Sequence, residues 1–294
     1  MRVSAVLPLL GFCSGLILAT TPFSPRLKSL FSSVLSRLFI PIVIIYNMVF
    51  YKAGSLGLML FSFFSAIFLF FIYLVLSKDR LQSLCFSYTN MAWLGFPIAM
   101  ALFGENISAA MIAIYIGGSI FGNVWAVTSV SSEPLNIQDI LKKVMKSPPV
   151  VALTLAAIFR FLNLQNLQDH TWIDALYHFS KWGMVFTGMS VLGMWLRKTK
   201  VYIDDLTYSF RVALLKLFCG VIFCTFAYYW LPITHIQENI GVMFLLFCLP
   251  PAANIVALET HYQGTGISAK YIAAGTVVSV MICLFYGIVV HLFF

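Results

Sequence analysis

VMFLLFCLPPAANIVALETH, Val242 to His261, decides how the rest of the chain is read. The stretch is apolar and long enough to cross a bilayer, which takes roughly 20 residues. Its middle holds two adjacent prolines, Pro250 and Pro251, with Asn254 three residues further on. Proline has no N–H to donate, and its ring clashes with the carbonyl four residues back. The residue before a proline is pushed out of the α region, and before Pro251 that residue is Pro250. The helix must therefore break near Pro250, at a depth where no water can repair it. Broken helices persist there when the freed backbone is buried in protein or lines a wet cavity. The break is the expected working centre.

The surrounding composition agrees. The chain of 294 residues is 61% hydrophobic and 10% charged, against about a quarter charged in soluble domains. This is the composition of an integral membrane protein, with no stretch polar enough for a separate soluble domain. The net charge of +8 reads as a topology signal in short loops, not as a nucleic-acid surface. Six cysteines, all in apolar segments and none in a C-x-x-C, read as buried free thiols. The histidines show no metal-ligand spacing, so no metal or other cofactor is expected. No acid/base pair or nucleophile constellation stands out, so no enzymatic activity is expected.

Apolar runs divide the chain into about ten spans. They are Val3 to Thr20, read as a retained first span, not a signal peptide; Leu30 to Phe50, with Pro41; Leu56 to Leu76; Leu84 to Phe103; Ile107 to Val130; Pro149 to Leu164; Ala175 to Leu196; Leu206 to Leu231; the opening stretch; and Ile272 to Phe293. With ten spans, one side collects Arg26, Lys28, Lys78, Arg80, Lys142, Lys143, Lys146, Arg197, Lys198, Lys200 and Lys270. The other has Arg2, Lys52 and Lys181. The basic side is expected in the cytoplasm, with both termini outside.

The two halves resemble each other. Asn90, Gly95 and Pro97 in span four, followed by Ile107-Ser108-Ala109, correspond to Pro250, Pro251 and Asn254 in span nine, followed by Ile267-Ser268-Ala269. Each half carries a proline break and an intramembrane asparagine at a corresponding place. Five spans per half is an odd number, so the second half must enter the bilayer inverted. Residues 1–130 form the first repeat, 131–148 a cytoplasmic connection, and 149–294 the second repeat. Paired interrupted helices at corresponding positions point to a transporter's binding site. Their N-terminal ends favour an anion, and Asn90 and Asn254 can hydrogen-bond it without burying a charge. The fold expected is an all-α polytopic membrane protein: about ten transmembrane helices in a 5+5 inverted repeat, with broken crossing helices four and nine.

The motifs NMAWLGFPIAMALFG, Asn90 to Gly104, and LPPAANIVALE, Leu249 to Glu259, resemble the auxin efflux carrier family, including its bacterial malate/malonate-type permeases. The resemblance covers essentially the whole chain. It implies a scaffold domain, a transport domain built on crossing helices four and nine, and elevator-like secondary transport of organic anions. The short connection after span five is similar to the bacterial members. Span seven lacks a proline to match Pro41; Gly188 and Gly193 are candidates for the same pliability.

The substrate-binding set is thus Asn90, Gly95, Pro97, Pro250, Pro251 and Asn254. Glu259 is either a ligand for a coupling cation or an interfacial carboxylate at a helix end. Asn47, Thr187 and Ser190 either line the cavity or bond between helices, and Tyr115 is placed to pack against the crossing. Glu105 reads as a solvated loop acid, and Lys216 as a side chain snorkelling to the cytoplasmic interface. The leading function is a carrier of small organic anions in a bacterial inner membrane. Alternatives are a sodium-coupled symporter of the bile-acid type, or a non-transporting membrane sensor. The partners are the anion, the bilayer and, as an option, a second copy in a homodimer; nucleic acid is not among them.

Overall fold

The computed structural model describes residues 3–50, 55–130, 138, 141–142, 145–164, 171–198, 200–253, 255, 259 and 267–293. Among them the architecture is all helical. The main helices are α1 (Val3–Leu18), α2 (Ser24–Val34), α3 (Ile40–Val49), α4 (Ser55–Ser77), α5 (Arg80–Ser87), α6 (Phe96–Phe103), α7 (Ser108–Val130), α8 (Pro148–Phe161), α9 (Thr171–Leu196), α10 (Ile203–Trp230), α11 (Ile236–Cys248) and α12 (Ser268–Phe293). Both repeats of the I-S-A signature open a helix on their serine, Ser108 for α7 and Ser268 for α12. The connection at 131–148 lies largely outside the described residues.

Four helical runs are long and apolar enough to cross a membrane: Ser24–Val49, Ser55–Ser77, Ile203–Trp230 and Ser268–Leu292. Val6–Leu18, Met91–Phe103, Pro148–Phe161 and Ile236–Cys248 are apolar but shorter. The outward faces explain why such helices suit lipid. Along α4, Phe64, Phe68, Phe71 and Val75 are exposed while Ser62 and Ser65 are buried. Along α12 the exposed residues are Met281, Phe285, Ile288 and Leu292. These are helical stripes of hydrocarbon facing out, the reverse of a soluble helix.

Two five-residue π turns, Leu35–Phe39 and Met91–Gly95, lead directly into α3 and α6. Each ends two residues before a proline, Pro41 or Pro97. A proline ring collides with the carbonyl four residues back, here that of Arg37 or Trp93. Both carbonyls lie inside the wider π winding, which makes room for the ring. The expected break at Pro97 is therefore corrected. Pro97 sits in the first turn of α6, and helical winding is continuous from Met91 to Phe103. Span four leaves helical geometry earlier, at residues 88–90.

By contact, the chain divides into two compact units. Unit 1 is Met1–Ser55, Ala92–Ile112 and Met145–Lys198; unit 2 is Leu56–Met91, Ala113–Val144 and Thr199–Phe294. Each unit draws on both sequence halves.

In unit 1, α1 packs along α9 at backbone distance. Gly11 and Gly15 form a G-x-x-x-G on α1, and small residues let helices approach closely in lipid. A Cβ on Gly15 would stand 2.1 Å from the Ser190 carbonyl oxygen, and one on Gly193 would stand 2.4 Å from that of Phe12. The Ser14 and Ser190 hydroxyls meet at 3.0 Å, and Ser190 Oγ donates to the Gly11 carbonyl at 3.0 Å. Gly188 lies against the backbone of Trp93. Helix α9 runs unbroken from Thr171 to Leu196, so Gly188 and Gly193 provide close approach, not pliability.

Unit 1 also corrects two charges. Lys181, counted above among outer-loop residues, is an α9 side chain only 1% exposed. Its Nζ donates to Glu105 Oε2 at 2.6 Å. Glu105 follows Gly104, whose φ of 80° suits glycine, and opens the 3-10 turn Glu105–Ile107. It is exposed, as expected of a loop acid, but it is ion-paired and not free. The Lys181 ammonium holds its carboxyl below the ordinary value of about 4.5. A depressed carboxylate stabilises the fold above that ordinary value, and the contribution is lost as pH falls through the lower, folded-state value. Thermal stability should therefore decline as pH drops below about 4.5. In Glu105→Gln this pH dependence should flatten and stability at pH 7 should fall by roughly 2 kcal/mol. That is less than for a fully buried pair, because Glu105 is partly exposed. Unchanged acid sensitivity in the variant would refute the assignment.

Candidate functional site

The break near Pro250 is where proline chemistry puts it. Helix α11 stops at Cys248, Leu249 is extended with ψ of 148°, and 250–252 leave the helix. The segment it meets is 88–90, just past the end of α5; both lie in unit 2. Thr89 and Pro251 form an isolated antiparallel bridge. The Asn90 N–H donates to the Pro250 carbonyl at 2.8 Å, and the Ala252 N–H donates to the Tyr88 carbonyl at 2.8 Å. Two segments that leave helical geometry thus satisfy each other's freed backbone, as a buried interior requires. The bridge is also the physical reason for the break in span four, which needs no proline of its own.

Neighbouring helices are shaped to seat the crossing. On α12, a Cβ added to Gly275 would lie 2.9 Å from Pro251 Cδ. On α7, one added to Gly122 would run into the Tyr88 ring at 2.2 Å.

The Leu249 carbonyl, freed by the break, is taken by Lys216 of α10, whose Nζ donates to it at 2.8 Å. Lys216 is 4% exposed, so it does not snorkel. Its position is a signal that sequence reading passed over. Lys216 stands 13 residues into α10, or roughly 20 Å along the axis from its start. The cation sits at the C-terminal end of a half-helix, where the backbone dipole favours positive charge.

A cavity of about 50 Å³ adjoins this point in unit 2. Its walls include Lys216, Pro251 and Ser279 at the crossing, and Gln82, Tyr208 and Tyr271 nearer the starts of α5, α10 and α12. Tyr208 and Lys216 are eight residues apart on one helix, as are Tyr271 and Ser279 on another, so the lining residues are spread over about 12 Å along those helices. Near the helix starts, Tyr208 donates to Gln82 Oε1 at 2.7 Å and shares a hydroxyl contact with Tyr73 at 2.8 Å. Gln82 in turn donates to Asp79, whose carboxylate caps α5. None of the described residues lining the cavity is acidic. The volume admits a few waters or one carboxylate group, well below the roughly 300 Å³ of a typical small-molecule pocket. A larger cleft in unit 1, about 320 Å³ beside Tyr46, Phe50, Phe159, Trp172 and Leu176, is walled by hydrocarbon.

Of the residues singled out by sequence, the fold brings together Asn90, Pro250 and Pro251. Gly95 closes the second π turn and Pro97 begins α6, both in the part of the chain assigned to unit 1. Asn254 lies outside the described residues. Glu259 is fully buried and serves the N-terminus of α12. Its two oxygens accept the Ile267 N–H at 2.7 Å and the Ser268 N–H at 2.8 Å, and the Ser268 hydroxyl donates to it as well. That supplies acceptors and negative charge to a helix start.

Asn47, in unit 1, donates to the Val43 carbonyl at 2.7 Å. Beside it, Tyr46 stacks on Tyr177 and donates to Asp174. Thr187 bonds back to the Gly183 carbonyl within α9, and Ser190 belongs to the α1–α9 contact. Tyr115 is on α7 in unit 2 and hydrogen-bonds Ser119 one turn on. Asn47, Thr187, Ser190 and Tyr115 line neither described cavity. Compared with known proteins, the chain matches no family model, and no curated protein is significantly similar to it.

Proposed function

We propose that this chain is a secondary transporter that moves small organic anions across the bacterial inner membrane by alternating access, in the manner of the auxin efflux carriers it resembles. The observation that carries the reading is the crossing itself. Residues 88–90 and 250–252, from corresponding places in the two halves, leave helical geometry and pair backbone to backbone. Non-helical backbone at membrane depth is characteristic of the broken helices that form transporter sites.

Two further features support an arrangement of ten spans in a 5+5 inverted repeat. Unit 1 takes spans one and two of the first half and six and seven of the second; unit 2 takes most of three and five, with eight to ten. Span four is shared, its first part with the crossing in unit 2 and its second part in unit 1. The helices that follow the two I-S-A signatures, α7 and α12, start on the matched serines. In this reading unit 2 carries the cargo, unit 1 is the scaffold, both termini lie outside, and Asn90 and Asn254 orient the anion.

Purified protein in proteoliposomes should move labelled small carboxylates faster than empty vesicles do. Asn90→Ala should lower flux roughly fivefold, the weight of one hydrogen bond, without loss of fold. Absence of flux over a broad carboxylate panel, with folded protein, would overturn the proposal.

A further inference from the structure

Lys216 brings more donors to the crossing than the Leu249 carbonyl it satisfies can use. An ammonium has three donors; the Leu249 carbonyl takes one. Among the described residues no other acceptor or carboxylate is placed on Nζ, although the side chain is 4% exposed and borders a cavity. Ionisable groups inside membrane segments ordinarily pair with one another or with backbone carbonyls, and they mark ion and substrate paths. In broken-helix transporters, unwound carbonyls and C-terminal half-helix ends are the places that coordinate a free cation. Lys216 already places its amino group there, on the Leu249 carbonyl, one residue past the end of α11. The rest of the described lining contains no acidic residue and adds the hydroxyls of Tyr271, Ser209 and Ser279, while Tyr208 donates to Gln82 and Gln82 to Asp79.

We propose that Lys216 is a tethered counter-cation. It fills the place of a coupling sodium at the broken helix end and directs its remaining donors to a small anion in the adjoining cavity, so that anion binding needs no sodium. The size of the cavity limits the bound group to a single carboxylate head. The proposal rests on the transport reading for its purpose, but its binding test is independent of flux.

The experiment is thermal unfolding of the detergent-purified full chain, titrated with acetate and malonate as N-methylglucamine salts or as sodium salts, against N-methylglucamine gluconate as the bulky control. The wild type should be stabilised equally with and without sodium. Lys216→Gln should bind the same anions at least tenfold more weakly, and Lys216→Arg should keep most of the effect. Stabilisation that appears only with sodium overturns the proposal, as does a Lys216→Gln protein that binds like the wild type; in the latter case the lysine is a strut for Leu249 alone. If Lys216→Gln does not fold, Ser279→Val and Tyr271→Phe carry the test. Each should weaken binding severalfold, and unchanged affinity in both overturns it. Wild-type flux combined with anion binding that ignores Lys216 removes this inference and leaves the transport reading standing. Lysine-dependent binding without flux does the reverse.

Discussion

Gly15→Val should give a protein that no longer holds α1 against α9. The Cβ alone would approach the Ser190 oxygen to 2.1 Å and the Ser190 carbonyl carbon to 2.8 Å. Both are backbone atoms of a helix that cannot rotate out of the way, so the helices must separate. Separation breaks the Ser14–Ser190 contact and the Ser190–Gly11 bond. Lipid tails supply no hydrophobic force to draw the helices back together, since association there rests on close packing and interhelical bonds. Overpacking costs about 1–3 kcal/mol, and each interhelical bond contributes roughly 0.6 kcal/mol. The expected loss is therefore about 3 kcal/mol, enough to unfold a marginal membrane protein on purification. Gly15→Ala should fall between the two, and Ser14→Ala should be mild. Thermal unfolding in detergent is the measurement; a wild-type midpoint for Gly15→Val would show that α1 and α9 do not pack this way.

The second large effect concerns function more than stability. If the chain carries anions as proposed, Gly275→Leu should leave a folded protein with transport reduced at least tenfold. Even a methyl group would stand 2.9 Å from the Pro251 ring and 3.9 Å from Pro250, and a proline ring has no rotamer to escape into. The crossing would have to move, and the Asn90–Pro250 and Ala252–Tyr88 bonds with it. A double substitution separates this cause from others. Pro251→Ala removes the ring, so Gly275→Ala should be far less harmful on that background than on the wild type. This coupling is expected of residues in direct contact. Additive losses in flux would place Gly275 outside the working part of the crossing.

What the sequence made readable follows from the range of the interactions concerned. The break at Pro250 is a local effect, two missing donors and a steric clash, and it was visible from the residues alone. The break at 88–90 is not local. Tyr88, Thr89 and Asn90 leave the helix because Tyr88 pairs with Ala252 and Asn90 with Pro250 across more than 150 residues of chain. Pro97 was the more conspicuous residue and the wrong one, because a π turn upstream absorbs its ring.

Charge was misread for a related reason. Lys181 and Lys216 were assigned to loop and interface because lysine usually lies there, whereas their burial depends on partners, Glu105 and the Leu249 carbonyl, supplied by distant segments. Gly11 and Gly15 of α1 form a G-x-x-x-G, but the helix they meet lies about 170 residues away in sequence and is not marked by any local pattern.

The two π turns have a consequence for anyone drawing helical wheels on this chain. A π turn holds one residue more than the α turn it replaces, and one residue is about 100° of azimuth. Across Leu35–Phe39 the register of α2 relative to α3 is therefore offset by more than a quarter of a revolution. A wheel drawn through Ser24–Val49 as one uniform helix turns Asn47 toward the wrong neighbours. The offset also makes each π turn a place where deleting a single residue would restore uniform winding and drive the proline that follows into the backbone.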